Sequence, residues 1–155
     1  MEIIGNKQAD NQKIVLMSRM ILNGFRVTQE INRRMKNCLN LSTAKFEALL
    51  AIENAQDGII TMSNLSKDLM VSNANITGLT TRLQSDGLVT KKALPSDRRI
   101  YSVTLTEKGH KTLEIAMQKY VVWMNELMDK MNNEDVHSMN KFMDKMDAQT
   151  KSFFK

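Results

Sequence analysis

At 155 residues the chain fits a single domain, long enough to bury roughly two thirds of its unfolded surface if it folds compactly. Apolar residues at 42% and charged residues at 25% exclude global disorder, one proline and six glycines exclude a collagen-like or many-stranded fold, and one cysteine excludes an intramolecular disulfide framework or a cysteine-rich zinc site. The formal charge of +5 is uneven, with +2 in residues 1–60, +3 in residues 61–108 and none in residues 109–155, so a surplus compatible with a polyanion lies in the first two segments.

Residues 1–6 lack the basic-then-apolar pattern of a signal peptide, and no apolar run approaches the ~18 residues of a membrane span. The expected compartment is the cytoplasm, with no membrane partner. A first helix is predicted over 10–37. Ile14, Met17, Ile21, Ile31 and Met35 fall on heptad a/d positions, with Gly24 and Thr28 filling two positions of the seam. Such a helix is about 40 Å long at 1.5 Å per residue, which points to a partner helix from another chain. A turn at residues 39–41 follows. Ser42 then caps an amphipathic helix carrying Phe46, Leu49, Leu50 and Ile52, which Asp57 and Gly58 end.

Ile59 and Ile60 are a brief strand. Thr61 caps a short helix with Leu65 and Leu69, Met70 and Val71 make a tight turn, and Ser72 caps a helix that runs to Ser85 and stops at Asp86 and Gly87. Residues 88–92 and 99–105 are the strands of a hairpin, with Tyr101, Val103 and Leu105 on one half-buried face. Thr106 caps the next helix, with Glu107 in its first turn. There Leu113, Met117, Tyr120, Met124, Leu127 and Met131 keep a coiled-coil seam. Asn132 and Asn133 break it. The last helix opens on Glu134 and Asp135 and carries the stripe Val136, Met139, Met143, Met146 and Phe153. The fold class is therefore mainly α with a small β-hairpin, and a helix-turn-helix followed directly by a hairpin is a winged helix-turn-helix.

On the helix from Ser72 to Ser85, Ile76, Leu79 and Leu83 share the core side. The opposite side presents Ala74, Thr77, Gly78 and Thr81, flanked by Asn73, Asn75, Arg82 and Gln84. Small outward residues allow close approach to a groove floor. Ala and the Thr methyls can touch a thymine methyl, and Asn can pair with adenine. The Ser72 cap and the free N–H groups beside it suit a phosphate. A solvated polar helix face would present the same residue types. The hairpin adds Lys91, Lys92, Arg98 and Arg99, and a cationic loop tip can enter a narrow A·T-rich minor groove. Asp97 stands beside the two arginines, where a carboxylate can hold a guanidinium in one orientation.

The run Val71-Ser72-Asn73-Ala74-Asn75-Ile76-Thr77-Gly78-Leu79-Thr80-Thr81-Arg82-Leu83-Gln84-Ser85-Asp86-Gly87-Leu88-Val89 resembles the recognition helix of the MarR (multiple antibiotic resistance regulator) family. Pro95-Ser96-Asp97-Arg98-Arg99, followed by Val103-Thr104-Leu105-Thr106-Glu107-Lys108-Gly109, resembles that family's wing and its exit into a dimer helix. The resemblance implies an obligate homodimer with one domain over 1–155. Helices 10–37 and 107–155 would be its N- and C-terminal dimerisation helices and 42–105 its DNA-binding lobe. It implies that Arg99 reaches into the minor groove with Asp97 bracing it. Many relatives carry an arginine near the start of the strand before the wing, where Lys91 and Lys92 stand here. Dimer symmetry predicts an inverted-repeat operator with half-sites about one helical turn, ~10 bp, apart. Without a central Arg or Lys on the outward helix face to read guanine, the operator should lean to A·T. The expected activity is transcriptional repression by a nucleoid-associated protein.

The resemblance also implies regulation by a small apolar or aromatic-acid effector or by oxidation. By position Phe25, Phe46, His110 and Met117 are candidate pocket residues, though core packing would account for each of them. Cys38, near Arg33, Arg34 and Lys36, is a candidate peroxide-sensing thiol, the basis of an alternative redox reading. A second alternative is a winged-helix module that binds a protein. Seven of the 13 methionines lie in residues 109–155, where flexible thioethers suit either an adaptable apolar pocket or helix packing. His110 and His137 have no ligand-spaced partners for a metal, Glu107 being only a helix neighbour of His110. No Ser-His-Asp set, phosphate loop or dinucleotide fingerprint appears, so neither an enzyme nor a cofactor is expected.

Overall fold

The computed structural model describes residues 2–94 and 97–153, with side chains from residue 11 onward. Pro95 and Ser96 of the wing motif lie outside the described residues. The chain divides into two compact units, Met1–Lys119 and Tyr120–Lys155.

The first unit opens on α1 (Glu2–Leu39), which starts at Glu2 rather than at residue 10. No proline interrupts the extra turns, and one glycine costs a helix only about 1 kcal/mol. Asn40 ends the helix in a left-handed conformation at φ +51°, and Leu41 N–H closes back on the Met35 carbonyl at 3.4 Å. Ser42 caps α2 (Thr43–Glu53), its Oγ accepting from Lys45 N–H at 3.3 Å. Phe46, Ala48, Leu49 and Ile52 of α2 are all buried. They share one broad face of the helix, with Ala44 and Glu47 exposed on the other, as an amphipathic helix requires. The helix ends at Glu53, earlier than expected. Asp57 and Gly58 instead form a following 3-10 turn (Gln56–Gly58), both left-handed, and aim the chain into the sheet.

The sheet has three strands in the order β1-β3-β2. β1 (Ile60–Thr61) pairs Ile60 with Val103 and Thr61 with Ser102. β2 (Val89–Ala93) and β3 (Tyr101–Leu105) run in register from Val89 opposite Leu105 to Ala93 opposite Tyr101. The hairpin thus gains a third strand. β3 becomes central, and Ser102 and Val103 are buried although they point to opposite faces. Tyr101, expected to share the covered face with Val103, is 43% exposed because it lies past the end of β1.

α3 (Met62–Asp68) is capped by Thr61, whose hydroxyl accepts from Asn64 N–H at 3.3 Å. The turn to α4 (Asn73–Ser85) places Met70 at φ +52° with its side chain 94% exposed. A left-handed non-glycine residue costs about 1–3 kcal/mol, so the joint between the two helices is held there against strain. α4 ends with Gly87 at φ +74°, where Gly87 N–H donates to Gln84 and Leu88 N–H to Leu83, both at 2.9 Å. Thr106 then starts α5 (Glu107–Met128). Leu113 and Ala116 are its buried side chains, three residues apart as one helix face requires. The seam expected through Leu127 and Met131 is exposed at both of those residues.

The second unit holds the end of α5 and α6 (Asn133–Phe153). Asn132 and Asp135 cap α6 reciprocally: Asn132 N–H donates to Asp135 Oδ2 at 3.0 Å and Asp135 N–H to Asn132 Oδ1 at 2.9 Å. The expected stripe is present but uncovered, with Val136, Met139, Met143 and Phe153 exposed. Among the described residues no helix is long and apolar enough to cross a membrane.

Candidate nucleic-acid interface

α4 is set by its buried face. Ile76, Leu79 and Leu83 are buried as the periodicity predicts, and Thr80 joins them. A threonine is tolerated there because its Oγ1 reaches the Ile76 carbonyl at 2.9 Å. The other face presents Ser72, Asn73, Ala74, Asn75, Thr77, Thr81 and Arg82 to solvent, with Gly78 half-buried. These candidates are not equivalent. The Ser72 hydroxyl accepts from Asn75 N–H at 3.3 Å and completes the cap. Asn73 Oδ1 lies 3.1 Å from the Ser66 hydroxyl of α3, so its side chain belongs partly to the joint between the helices. Thr77 and Thr81 donate to the carbonyls of Asn73 and Thr77, each at 2.8 Å. That commits each hydroxyl proton to the helix and leaves the methyl as the group a thymine can meet.

Gly78 has a further meaning. A Cβ built there meets nothing closer than Arg82 Nη1 at 3.5 Å, so the fold does not require glycine at this position. Helix propensity alone predicts that Gly78→Ala stabilises the protein by up to about 1 kcal/mol. If glycine is there for close approach to a groove floor, the same variant melts higher yet binds operator DNA less tightly. A variant that melts higher and binds equally well would remove Gly78 from the interface.

The wing is positioned by its own turn. Leu94 N–H donates to the Ile100 carbonyl at 2.8 Å and Ile100 N–H to the Asp97 carbonyl at 3.0 Å. Asp97 Oδ1 accepts from the Arg99 main-chain N–H at 2.9 Å. The carboxylate therefore braces the backbone of the turn rather than the Arg99 guanidinium, as an Asp at the first position of a turn does. Arg98, Arg99 and Lys92 are exposed and Lys91 is half-buried. Helix and wing converge on one cleft of about 330 Å³, to which α4 brings Asn73 and Thr77 and the wing brings Lys91, Arg99 and Tyr101. Tyr101 is a member the sequence reading missed. It pairs across the sheet with Ala93, and only the register shows that it stands beside Lys91.

The four pocket candidates differ in burial and partners. Phe46 is sealed in the core, whereas Phe25 is 61% exposed on α1. His110 Nδ1 lies 2.9 Å from Glu53 Oε2 and so ties α5 to α2, while Glu107 pairs with Lys111 at 2.7 Å. Met117 is half-buried on α5. Phe25 instead borders a shallow groove on α1 with Arg26, Gln29 and Arg33. There Glu30 accepts hydrogen bonds from Arg33 at 2.6 and 2.7 Å and from Arg34 at 2.8 Å, which pull its pKa down to about 2. The cluster is thus charged throughout the neutral range. Cys38 is a free, exposed thiol near the end of α1. The two arginines proposed to activate it are both engaged by Glu30.

Comparison with known proteins agrees with this geometry. Residues 41–101, from just before α2 to the start of β3, match the model of the MarR family. The HTH-type transcriptional regulator YdgJ of Bacillus subtilis is 27% identical over 109 residues, which are 70% of this chain and 65% of that protein. The HTH-type transcriptional repressor YetL of the same species is 28% identical over 119 residues, 75% of this chain and 71% of that protein. The crystal structure of a cysteine-to-serine variant of MarR from E. coli, complexed with operator DNA, matches with a TM-score of 0.76 at 25% identity, over 86% of this chain and 95% of that one. With a helix-turn-helix, a three-stranded wing sheet and these likenesses in one chain, the protein is similar to the MarR family of winged-helix transcriptional regulators, most directly over residues 41–101.

Proposed function

We propose that the protein represses transcription as a homodimer that binds an A·T-leaning inverted repeat, inserting α4 into the major groove and the wing into the flanking minor groove. The observation that carries this reading is the convergence of Asn73 and Thr77 on α4 with Lys91 and Arg99 of the wing on one cleft. A duplex threading that cleft meets small groups on one side and cations on the other. The operator complex of the related MarR shows that this scaffold can hold DNA. The homodimer is supported by uncovered apolar faces. Ile14, Ile21 and Phe25 are each more than 60% exposed on α1, and α6 is uncovered along its stripe. Exposed apolar surface on this scale marks an interaction site. Lobes would follow function, with 42–105 on DNA and the helices of 10–37 and 107–155 joining protomers, in one cytoplasmic, nucleoid-associated domain. A small apolar or aromatic-acid effector that releases the DNA completes the proposal.

The test is a fluorescence-anisotropy titration of the DNA upstream of the protein's own gene and of duplexes selected from a random pool. The complex should contain two chains of 17.7 kDa per operator. Binding should be tighter than to scrambled DNA and should weaken when G·C pairs replace A·T pairs under the wing. Equal affinity for the G·C-substituted duplex would sink the minor-groove reading, and failure to enrich any duplex would sink the DNA-binding reading.

A further inference from the structure

Lys91 and Lys92 are neighbours in the sequence, but a strand sends adjacent side chains to opposite faces. The register assigns each lysine a side. Lys91 lies opposite Val103, on the face that also carries Tyr101, and Lys92 lies opposite Ser102. Lys91 Nζ stands 4.7 Å from the centroid of the Tyr101 ring, within cation–π range. Lys91 and Tyr101 line the cleft with Asn73, Thr77 and Arg99, and Lys92 does not. The ring itself is 43% exposed, so burying apolar area is only part of what it does.

We propose that Tyr101 is a positioning residue that holds the Lys91 ammonium in the cleft, where it neutralises a DNA phosphate between recognition helix and wing, and that Lys92 makes no such contact. A free lysine side chain samples many rotamers and loses that freedom on binding. A ring beneath the ammonium restricts it beforehand. It uses none of the three N–H donors, which stay available to phosphate oxygens. The two lysines that stand together in the sequence thus divide, with one facing DNA and the other solvent. The inference rests on the DNA-binding reading proposed above.

The experiment uses the full chain and a duplex that the wild-type protein enriches from a random pool, titrated between 50 and 200 mM salt. Each phosphate neutralised contributes about 0.9 to the slope of log affinity against log salt. Lys91→Ala is expected to flatten the slope by about that amount for each protomer bound, and Lys92→Ala to leave it at the wild-type value. Tyr101→Phe keeps the ring and binds as wild type. Tyr101→Leu weakens binding about two- to five-fold per protomer, the range of an exposed cation–π contact. It should do so only when Lys91 is present, adding nothing in the Lys91→Ala background, which a general loss of wing structure would not reproduce. Equal slopes for Lys91→Ala and wild type overturn the proposal, as does an equal loss in Lys92→Ala. So does a Tyr101→Leu effect that survives in the Lys91→Ala background. Arg99→Ala separates the two levels. If it loses binding while Lys91→Ala does not, the DNA reading stands and this inference falls. If no duplex is enriched, both fall.

Discussion

Arg99→Ala should weaken operator binding by about 1–3 kcal/mol for each wing that meets DNA, the worth of one good base-reading contact. The cause is local. Arg99 is exposed, its main chain is pinned by Asp97 at 2.9 Å, and its side chain borders the cleft shared with α4. A guanidinium presented on a fixed backbone loses less freedom on insertion than one on a mobile loop tip. Two substitutions at Asp97 show which brace operates. An asparagine side chain accepts from the N–H two residues on just as an aspartate does. Asp97→Asn should therefore keep the wing in shape and bind DNA at least as tightly as wild type, having also shed a negative charge beside the phosphates. Asp97→Ala loses the turn contact and should bind less tightly. Were the carboxylate clamping the guanidinium by charge, Asp97→Asn would fail along with Asp97→Ala. Anisotropy titrations of the three variants on one operator duplex distinguish the cases.

Where the signal was local, the sequence was legible. The caps at Ser42, Thr61, Ser72 and Thr106 follow from side chains that satisfy nearby N–H groups, and all four accept from the N–H three residues on, Thr106 from Gly109 at 3.0 Å. Ile76, Leu79 and Leu83 keep one helical face, so their burial could be read from spacing. Thr80 could not, since a buried hydroxyl depends on the Ile76 carbonyl it finds. Non-local facts were the ones missed. Ile60 finds its partner in Val103, more than forty residues on, and two residues of strand carry no periodicity to announce it. In the site, the residue types on α4 and the wing were legible from composition, but the division of labour was not. Whether Asp97 bonds a main chain or a guanidinium depends on the turn it sits in. Which lysine faces the cleft depends on a register that two strands set together.

Gly109→Ala should destabilise the fold by about 3 kcal/mol, at the upper end of what overpacking costs. For a protein of this size that lowers the melting temperature by roughly 10 °C. A Cβ at Gly109 would lie 2.1 Å from the Leu88 carbonyl oxygen and 3.1 Å from its carbon, and both atoms are backbone. Neither can rotate away as a side chain would. The carbonyl also accepts from Thr106 N–H at 3.0 Å, and the Thr106 hydroxyl donates to the Gly87 carbonyl at 2.7 Å while accepting from Gly109 N–H. The first turn of α5 therefore sits directly on the Gly87–Leu88 backbone, and moving either breaks bonds that hold both. Lys108 Nζ, donating to the Asp86 carbonyl at 2.7 Å, fixes the same junction from the side. Gly78→Ala is the internal control, because the same methyl is added to a helix of the same protein with no backbone in its path. Propensity favours alanine at both positions, so the difference between the two melting shifts isolates the steric cost at Gly109. Equal shifts of the same sign would mean that α5 can slide off β2, and that the wing sheet and α5 are not held as one piece.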